Sequence, residues 1–557
     1  MARFTVTGFL ADVWQKKVYP ASITVEDGII RGIDPVPDGA LVTEQFILPG
    51  FVDSHVHIES SMLIPAAFAR LAVVHGTVAT VSDPHEIANV CGIQGVEFMI
   101  SNGRTTPFKF NFGAPSCVPA TIFETAGASI DVQQVESLLQ RREIKYLTEM
   151  MNFPGVLHQD PVVMAKIAAA QRVGKPIDGH APGLRGEQAK QYIDAGISTD
   201  HECFTKAEAL DKLHHGMKIL IREGSAAKNF EALIDLLHDY PTQIMFCSDD
   251  KHPDSLVAGH IDQLCARAAA KGVDLFKILQ AACVNPVLHY SLEVGLLRVG
   301  DPADFILVQD IEHFRVLATY IDGIEVTDPE ISRQWQLSSG DDSFPTPRSV
   351  NNFDCKPVTA ANLAAPYDGQ ETVPVIEALD GQLITNRLEI PADLLLNTQS
   401  NTLTANVQED ILKIVVVNRY QPAKPAVAFI RNFGLKTGAL ASSVAHDSHN
   451  IVAVGTDDES LVHAINQVIE CRGGVSCVKG GAGAESLVIP LPVAGLMSDE
   501  DGYAVAAAYT DIDAMAKALG SPLTAPFMTL SFMALLVIPH LKLSDLGLFD
   551  GDQFKFV

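Results

Sequence analysis

Short apolar runs separated by turns occupy the first fifty residues. Residues 4–9 form one strand-like run, and residues 22–25 and 29–30 flank the turn Glu26-Asp27-Gly28. An Asp-Gly pair between two apolar runs predicts a β-hairpin. The pattern therefore predicts that the chain begins in a small β-structure.

From about residue 51 to 290, short apolar segments alternate with helical stretches. Helices are predicted near residues 132–142, 161–173 and 230–238, and strands near residues 73–81, 108–112, 146–150, 176–177, 198–200, 218–221 and 243–247. Such alternation favours a parallel sheet or a closed barrel. A barrel of this kind takes about 250 residues, and the 557 residues of the chain leave room for more than one further unit.

Strand patterns return after the alternating region, at residues 305–308, 316–321 and 324–326. We expect residues 1–50 and 296–340 to build one small β-domain beside a barrel at residues 51–295. The polar residues 341–352, with several Ser, Asp and Pro, predict a linker. Residues 353–557 then form a third, mixed α/β domain.

The composition of the chain limits the kinds of binding partner and the cellular location that we expect. The net charge of −27 and the absence of a basic cluster argue against nucleic acid binding. The nine cysteines include no Cys-x-x-Cys pair, so a disulfide framework is not expected. The start of the chain has no apolar signal core, and the apolar stretch 527–541 is broken by Ser531 and Pro539. We expect a cytoplasmic protein with no membrane contact.

Six potential metal ligands follow one another at the ends of apolar runs. His55 and His57 stand two residues apart, so on a strand both imidazoles point to one face. Because the carboxyl ends of parallel barrel strands meet at one edge, later strand ends would add their side chains there. Nitrogen and oxygen donors suit Zn²⁺, Mn²⁺ or Fe²⁺, and six are about right for two ions. The full set is His55, His57, Glu149, His180, His201 and Asp249.

Each of these residues also has an ordinary structural interpretation. A single His180, His201 or Glu149 is more often a hydrogen-bonded structural residue, and Asp249 could begin a helix as its N-cap. The shared position of all six at strand ends favours the metal interpretation.

The order of the six ligands resembles that of the amidohydrolase superfamily. More specifically, the chain is similar to the bacterial adenine deaminases in HVHIESSM at residues 55–62, SDPHEIANV at 82–90, EMMNFPG at 149–155 and GHAPG at 179–183. The similarity continues in HDSHN at 446–450 and GGAG at 480–483. It covers essentially the whole chain.

The resemblance implies a specific fold and reaction. The fold is α/β: a (β/α)8-type amidohydrolase barrel, a small β-sandwich-like domain built from both flanks of the barrel, and a C-terminal adenine-deaminase-type domain. The reaction is hydrolytic deamination of adenine to hypoxanthine and ammonia. The implied cofactor is a binuclear centre of Mn²⁺ or Fe²⁺, with Zn²⁺ possible. A homo-oligomer, a dimer or larger, is expected as the commonest assembly.

Glu149 is the expected bridge between the two ions. Many superfamily members use a carboxylated lysine there, and Lys145 lies on the same strand face. Four residues of strand span about 13 Å, so both side chains cannot reach one site. Glu149 is nearer the carboxyl end of the strand, and the resemblance also implies a glutamate.

The expected mechanism is attack of a metal-activated hydroxide on C6 of adenine. Asp249, and with it the bridging Glu149, are the expected catalytic residues, and Asp249 would accept and deliver the proton. His85 and Glu86 are candidates for a second acid or for holding the base. Alternatively, Asp83 and Glu86 form a helix capping box. Further substrate-binding candidates are Ser61, His446 and His449, and the third domain either covers the barrel mouth or serves assembly.

Three other functions compete with adenine deamination. A different deaminase or a cyclic amidohydrolase of the same superfamily would have the same metal site. A non-catalytic barrel would usually have lost ligands, whereas all six positions are filled here. The zinc deaminase fold is excluded because its Cys-x-x-Cys pair is missing.

Overall fold

Four strands open the chain in the computed structural model, which describes residues 3–37, 43–335, 350–480 and 485–557. They are β1 (Phe4–Asp12), β2 (Lys17–Glu26), β3 (Ile29–Pro35) and β4 (Phe46–Pro49). Strands β2 and β3 pair antiparallel. Their turn contains Asp27 and Gly28, both with positive φ, so the hairpin predicted from the Asp-Gly pair is confirmed.

The alternating region contains parallel strands and the helices between them. Its strands are β5 (Phe51–Val56), β6 (Thr77–Ser82), β7 (Lys109–Ala114), β8 (Ile144–Met150), β9 (Ile177–Gly179), β10 (Thr199–Asp200), β11 (Lys218–Arg222) and β12 (Ile244–Cys247). Its helices are α1 (Pro65–Val73), α2 (His85–Cys91), α3 (Ile93–Gly103), α4 (Val132–Leu139), α5 (Phe153–Leu157), α6 (Pro161–Arg172), α7 (Gly186–Asp194), α8 (Lys206–His214), α9 (Phe230–Leu233), α10 (Pro253–Ala258), α11 (Ile261–Ala270), α12 (Leu275–Leu279) and α13 (Asn285–Tyr290).

Strands β5 to β9 form a five-stranded parallel sheet, and β10 to β12 form a three-stranded parallel sheet. The end of the second sheet returns to the start of the first. There, the Asp249 N–H donates to the His55 carbonyl (2.9 Å) and the His57 N–H donates to the Asp249 carbonyl (3.3 Å). The sheets therefore curl, and the carboxyl ends of their strands face a common centre.

The strand predicted at residues 73–81 is wrong in its first part. Helix α1 continues to Val73, and β6 begins only at Thr77. Between them the chain turns at Gly76, whose φ is +79°. A continuous apolar run has the same pattern in a buried helix and a buried strand, so the boundary could not be placed from the pattern.

After the parallel strands, the chain returns to the opening sheet. Strands β13 (Phe305–Val308), β14 (Val316–Ile321) and β15 (Ile324–Glu325) precede helix α14 (Pro329–Gln334). They complete a seven-stranded sheet of order β15-β14-β13-β4-β1-β2-β3. Both flanks of the parallel region thus contribute to one sheet.

Beyond this sheet lies a mixed α/β region. Of the predicted linker, residues 341–349 lie outside the described residues. The strands that follow are β16 (Ala365–Pro366), β17 (Thr372–Ala378), β18 (Thr385–Pro391), β19 (Leu396–Asn397), β20 (Thr402–Leu403), β21 (Ile411–Val417), β22 (Ala426–Arg431), β23 (Ala439–Ser442), β24 (Ile451–Gly455), β25 (Gly474–Val478), β26 (Ser486–Pro490), β27 (Leu541–Ser544), β28 (Gly547–Asp550) and β29 (Lys555–Phe556). The helices are α15 (Asp458–Glu470), α16 (Gly502–Ala518) and α17 (Pro526–Phe532). The main sheet has eight strands, in the order β18-β17-β22-β21-β24-β23-β25-β26.

The C-terminal region packs directly on the parallel-strand region. One hydrophobic cluster runs through both and includes Phe68 from the first and Phe527 from the second. Arg70 pairs with Asp501 at 2.5 Å, and the Asn450 side-chain amide donates to the Thr125 carbonyl at 2.9 Å. Within the described ranges, every helix is too short or too polar to cross a bilayer.

Candidate metal centre

The curled sheets bring the six predicted ligands together. All six side chains are buried, although they come from five different strand ends. His55 lies in β5 and Glu149 in β8, and the other four, His57, His180, His201 and Asp249, lie within two residues after the ends of β5, β9, β10 and β12.

His57 lies at the centre of one group of donor atoms. Its Nε2 is 3.2 Å from His55 Nε2, 3.2 Å from Asp249 Oδ1 and 3.4 Å from Glu149 Oε1. Donors held about 2.0–2.1 Å from a tetrahedral zinc ion lie about 3.4 Å from one another. The spacing and the nitrogen and oxygen chemistry of this group therefore fit a divalent cation.

Glu149 connects this group to a second one. Its other oxygen, Oε2, lies 2.8 Å from His180 Nδ1 and 3.1 Å from His201 Nε2. The two oxygens of one carboxylate thus face different imidazoles: Oε1 faces His57, and Oε2 faces His180 and His201. This arrangement suits a carboxylate shared by two cations.

Arg222, at the end of β11, is a further site residue that was not predicted from the sequence. Its fully buried guanidinium donates to Asp249 Oδ2 at 2.5 Å and contacts both oxygens of Glu202. Burial alone would raise the pKa of Asp249, but Arg222 together with His57 and His201 outweighs it and holds that pKa well below its ordinary value. A charged residue ending the apolar run KILIR was the available signal, because neighbouring strand ends also carry site residues.

Asp249 itself has a strained backbone, with φ of +54°. Such a conformation costs a non-glycine residue about 1–3 kcal/mol and persists only where the surroundings enforce it. Here both its N–H and its carbonyl are bonded to the chain around His55 and His57. These two hydrogen bonds hold the left-handed backbone conformation, which places the Asp249 carboxylate against the two imidazoles.

His85 extends the cluster on the side of the first group. Its Nδ1 lies 3.1 Å from Asp83 Oδ2 and 3.5 Å from Glu149 Oε1. Burial lowers the pKa of His85, but the carboxylates of Asp83 and Glu86 outweigh it, and the net pKa lies well above the ordinary value. The surrounding carboxylates thus favour the protonated form of His85, whose ring contacts the metal-ligand cluster.

The capping-box interpretation of Asp83 and Glu86 is wrong. Helix α2 begins at His85 after the N-cap Pro84, which makes no side-chain hydrogen bond. The Asp83 carboxylate accepts from the His85 N–H at 3.0 Å, and the Asp83 N–H donates to the Val56 carbonyl rather than to Glu86. The Glu86 carboxylate is directed away from the helix because it is hydrogen-bonded to two histidines of the C-terminal region.

These two histidines are His446 and His449. Oε1 of Glu86 contacts His446 Nδ1, and Oε2 contacts His449 Nε2. Burial opposes ionisation of Glu86, but the two imidazoles outweigh it and hold its pKa well below normal. Glu86 is therefore an anion that ties the loop after β6 to the C-terminal region.

Two family models match the chain. The model described as "Amidohydrolase family" matches residues 46–326, and the one described as "Adenine deaminase C-terminal domain" matches residues 382–555. The adenine deaminase of Salinibacter ruber is 52% identical over 558 residues, covering 100% of this chain and 99% of that protein. The chain belongs to the adenine deaminase family. Two further adenine deaminases agree: that of a Sulfurovum species, 54% identical over 98% of both chains, and that of Methanosarcina acetivorans, 48% identical over 99% of this chain and 98% of that one.

Membership in the adenine deaminase family confirms the resemblance inferred from the sequence. The amidohydrolase part implies a divalent metal centre, and the structure has candidate ligand clusters for one. The second matched model contains His446 and His449. In this adenine deaminase family member, both matched parts therefore contribute residues to one buried cluster.

A small cavity lies between the two parts. Five of the six predicted ligands, all but His55, line one side with Asp250, and His446 and Asp447 line the other. Met151, Leu383 and Leu535 complete the walls with apolar surface. The Asp250 carboxylate accepts from the Ser60 hydroxyl at 2.6 Å and faces His446.

Two residues considered from the sequence lie elsewhere. The Ser61 hydroxyl donates to the Ile58 carbonyl at 2.6 Å, and Ser61 is not among the residues that line the cavity. Lys145 lies at the opposite end of β8, where it lines a separate cavity with Arg142 and Glu293. Lys145 is thus far from the imidazoles around Glu149. This agrees with the expectation that four residues of strand separate the two side chains too widely to share one site.

Proposed function

We propose that this chain hydrolyses adenine to hypoxanthine and ammonia. Water adds at C6 of the purine, the C6–N bond breaks, and the amino group leaves as ammonia. The observation that carries the proposal is the position of Glu149. Its two oxygens face different imidazoles, and it lines one cavity with His446 and Asp447, which belong to the part that matches the adenine deaminase C-terminal domain. The relatives bearing that name match the chain over nearly its full length.

We assign the metal ligands to the two groups around Glu149. His55, His57 and Asp249 would hold one cation, His180 and His201 the other, and Glu149 both. A divalent cation bound there would lower the pKa of a water molecule from 15.7 to about 7, which makes a nucleophile at neutral pH. Mn²⁺ or Fe²⁺ is the proposed metal, and Zn²⁺ fits the same donors.

Asp249 is the proposed proton acceptor. Arg222 occupies its Oδ2, so Oδ1 is the oxygen left facing the imidazoles. The low pKa keeps the carboxylate ionised at neutral pH. It can therefore take the proton of the attacking water and pass it to the departing amine.

His85 is the proposed acid for the purine ring. Its raised pKa favours a protonated ring at neutral pH, Asp83 lies 3.1 Å from its Nδ1, and His85 lines the cavity. A ring nitrogen gains basicity as C6 becomes tetrahedral, so an acid at this place stabilises the intermediate. To donate this proton, His85 must contact the bound purine.

Glu86, His446 and His449 are the proposed substrate-binding group. His446 lines the cavity, and Glu86 fixes its ring through Nδ1. The apolar side chains of Met151, Leu383 and Leu535 would contact the faces of a planar base.

We also infer the finer architecture. The two parallel sheets, joined through Asp249 and His55, support a single (β/α)8-type barrel. The domain boundaries given above and the homo-oligomer stay predictions.

Ammonia release from a panel of bases tests the function. Full-length protein from manganese-supplemented growth is incubated with adenine, other aminated purines and pyrimidines, and hydantoins. We expect ammonia and hypoxanthine from adenine, and loss of both in Asp249→Asn with unchanged circular dichroism. Faster turnover of another base, or opening of a ring amide without ammonia, would favour the alternative amidohydrolase functions.

A further inference from the structure

A second cavity lies beside the loops that carry Arg222 and Asp249, and it is lined by cations. Its volume is about 150 Å³. Lys228, Lys251 and Arg267 contribute positive charge to its lining, and Glu223 is the acidic residue there. A net positive lining stands out in a chain whose formal charge is −27.

Lys251 is the central observation. It is 6% exposed, and within residues 3–37, 43–335, 350–480 and 485–557 its ammonium has no hydrogen bond or ion pair. Leaving a charge buried and unpaired costs several kcal/mol. An anion in the adjoining cavity would supply the partner that this ammonium lacks among the described residues.

Other buried lysines of this chain have partners. Lys166 donates to the carbonyls of Ser116 (2.7 Å) and Ile130 (2.9 Å). Lys212 donates to Glu208 at 2.9 Å, and Lys542 to the Leu383 carbonyl at 2.6 Å. The fold thus gives these buried lysine nitrogens hydrogen-bond acceptors, whereas Lys251 faces a cavity.

The acids around Lys251 are engaged with other groups. Oε2 of Glu223 accepts from Arg267 at 2.5 Å. Asp53 accepts from His260 at 2.8 Å, and Asp262 accepts from the His260 N–H at 2.7 Å. These acids act on Lys251 only from a distance, and of the three only Glu223 lines the cavity, beside Lys228, Lys251 and Arg267.

We propose that this cavity, the Lys251 cavity, binds a small oxyanion, with inorganic phosphate as the probe. An oxyanion would accept from the Lys251 ammonium and balance the charge of Lys228 at the rim. The cavity is smaller than the roughly 300–1,000 Å³ that encloses a drug-sized ligand. The free anion therefore fits better than a whole nucleotide.

The Lys251 cavity is linked to the metal-ligand loops through the backbone. The Ser225 N–H donates to the Asp250 carbonyl at 2.8 Å, and the His252 N–H donates to the Ser225 hydroxyl at 2.8 Å. A bound anion would thus hold the two loops from outside the barrel centre. The proposal stands independently of the reaction assigned to that centre.

Thermal unfolding of the full-length, metal-loaded protein tests the proposal. Phosphate is compared with chloride at equal ionic strength in the wild type, Lys251→Met and Lys228→Met. The control is Lys206→Met, which removes an exposed lysine 4.0 Å from Asp235. We expect phosphate to raise the Tm of the wild type and the control. The rise should vanish in Lys251→Met, with at least tenfold weaker binding, and shrink in Lys228→Met.

Phosphate could also bind at the metal centre, and Lys251→Met separates the two sites. An equal phosphate effect in that variant, or none in the wild type, overturns the proposal. So does a Tm rise with adenosine monophosphate but not with phosphate. If Lys251→Met fails to fold, an anomalous peak of selenate in crystals of the wild type decides, since the proposal requires it beside Lys251.

Discussion

Replacing Arg222 by methionine tests the electrostatic support of the metal-ligand cluster. The guanidinium contacts two carboxylates, Asp249 and Glu202, which are 2% and 1% exposed. Methionine fills similar space but leaves both acids without this partner. Breaking a buried ion pair by removing one partner costs about 3–5 kcal/mol.

This cost converts into a measurable change in melting temperature. For a chain of 557 residues that melts as one unit, an unfolding entropy of about 2.1 cal/mol/K per residue means that 1 kcal/mol shifts Tm by about 0.9 °C, so the loss is about 3–4 °C. We expect Arg222→Met to lose more Tm after chelation than in the metal-loaded protein. In the metal-loaded protein, a bound cation would compensate the charge of Asp249. We also expect kcat to fall by about 100-fold or more, the lower end of what a positioned acid or base contributes.

Two matched variants separate charge from geometry. Arg222→Lys keeps the charge but loses the planar fork, so intermediate losses are expected. Arg185→Met removes an exposed pair with Asp211, at 2.8 Å, and exposed pairs are worth about 0–1 kcal/mol. The assays are thermal unfolding with and without chelator, and ammonia release. A Tm and a kcat within the range of Arg185→Met would refute the reasoning.

Three further substitutions give separate predictions. Glu149→Gln removes a charge from between the imidazole pairs, so bound metal should fall from two ions per chain to one or fewer by elemental analysis, while Lys145→Met keeps two. Glu86→Gln should raise KM for adenine about tenfold, because His446 loses its anionic partner, with metal content unchanged. Burial lowers the pKa of Lys542 from 10.5 to about 7. Between these values the unfolded chain holds a proton that the folded chain lacks, so stability rises with pH. Lys542→Met should reduce that rise by up to about 1.36 kcal/mol per pH unit, measured by denaturant unfolding at pH 7 and 9.

Each of these three has an outcome that would contradict it. Two tightly bound ions in Glu149→Gln would remove the bridge. An unchanged KM in Glu86→Gln, with a lower Tm, would leave Glu86 as a structural link between the two parts. Equal pH dependence of wild type and Lys542→Met would mean that the ammonium stays charged in the folded protein.

The sequence predicted the parts of the fold that depend on local pattern and on strand direction. His55, His57, His180 and His201 could be grouped because parallel strand ends share an edge, whatever the lengths of the intervening helices. The strand boundary near Val73 could not be placed, because a buried helix and a buried strand are both continuously apolar there.

Contacts between segments that are distant in the chain could not be predicted from the pattern of hydrophobic and polar residues. The pairing of Glu86 with His446 and His449 depends on how the C-terminal region docks, so the local capping interpretation had no sign of it. Arg222 was missed for a similar reason: its partners Glu202 and Asp249 are recognisable only once β10, β11 and β12 lie side by side.

The bond between Glu86 and the two C-terminal histidines has a consequence for how the molecule comes apart. If the C-terminal region detached, an anionic side chain would lose its counterparts and the shared apolar core would open to water. Separation is thus penalised by both charge and hydrophobicity. The whole chain should accordingly melt in a single cooperative transition, and the isolated barrel should be unstable.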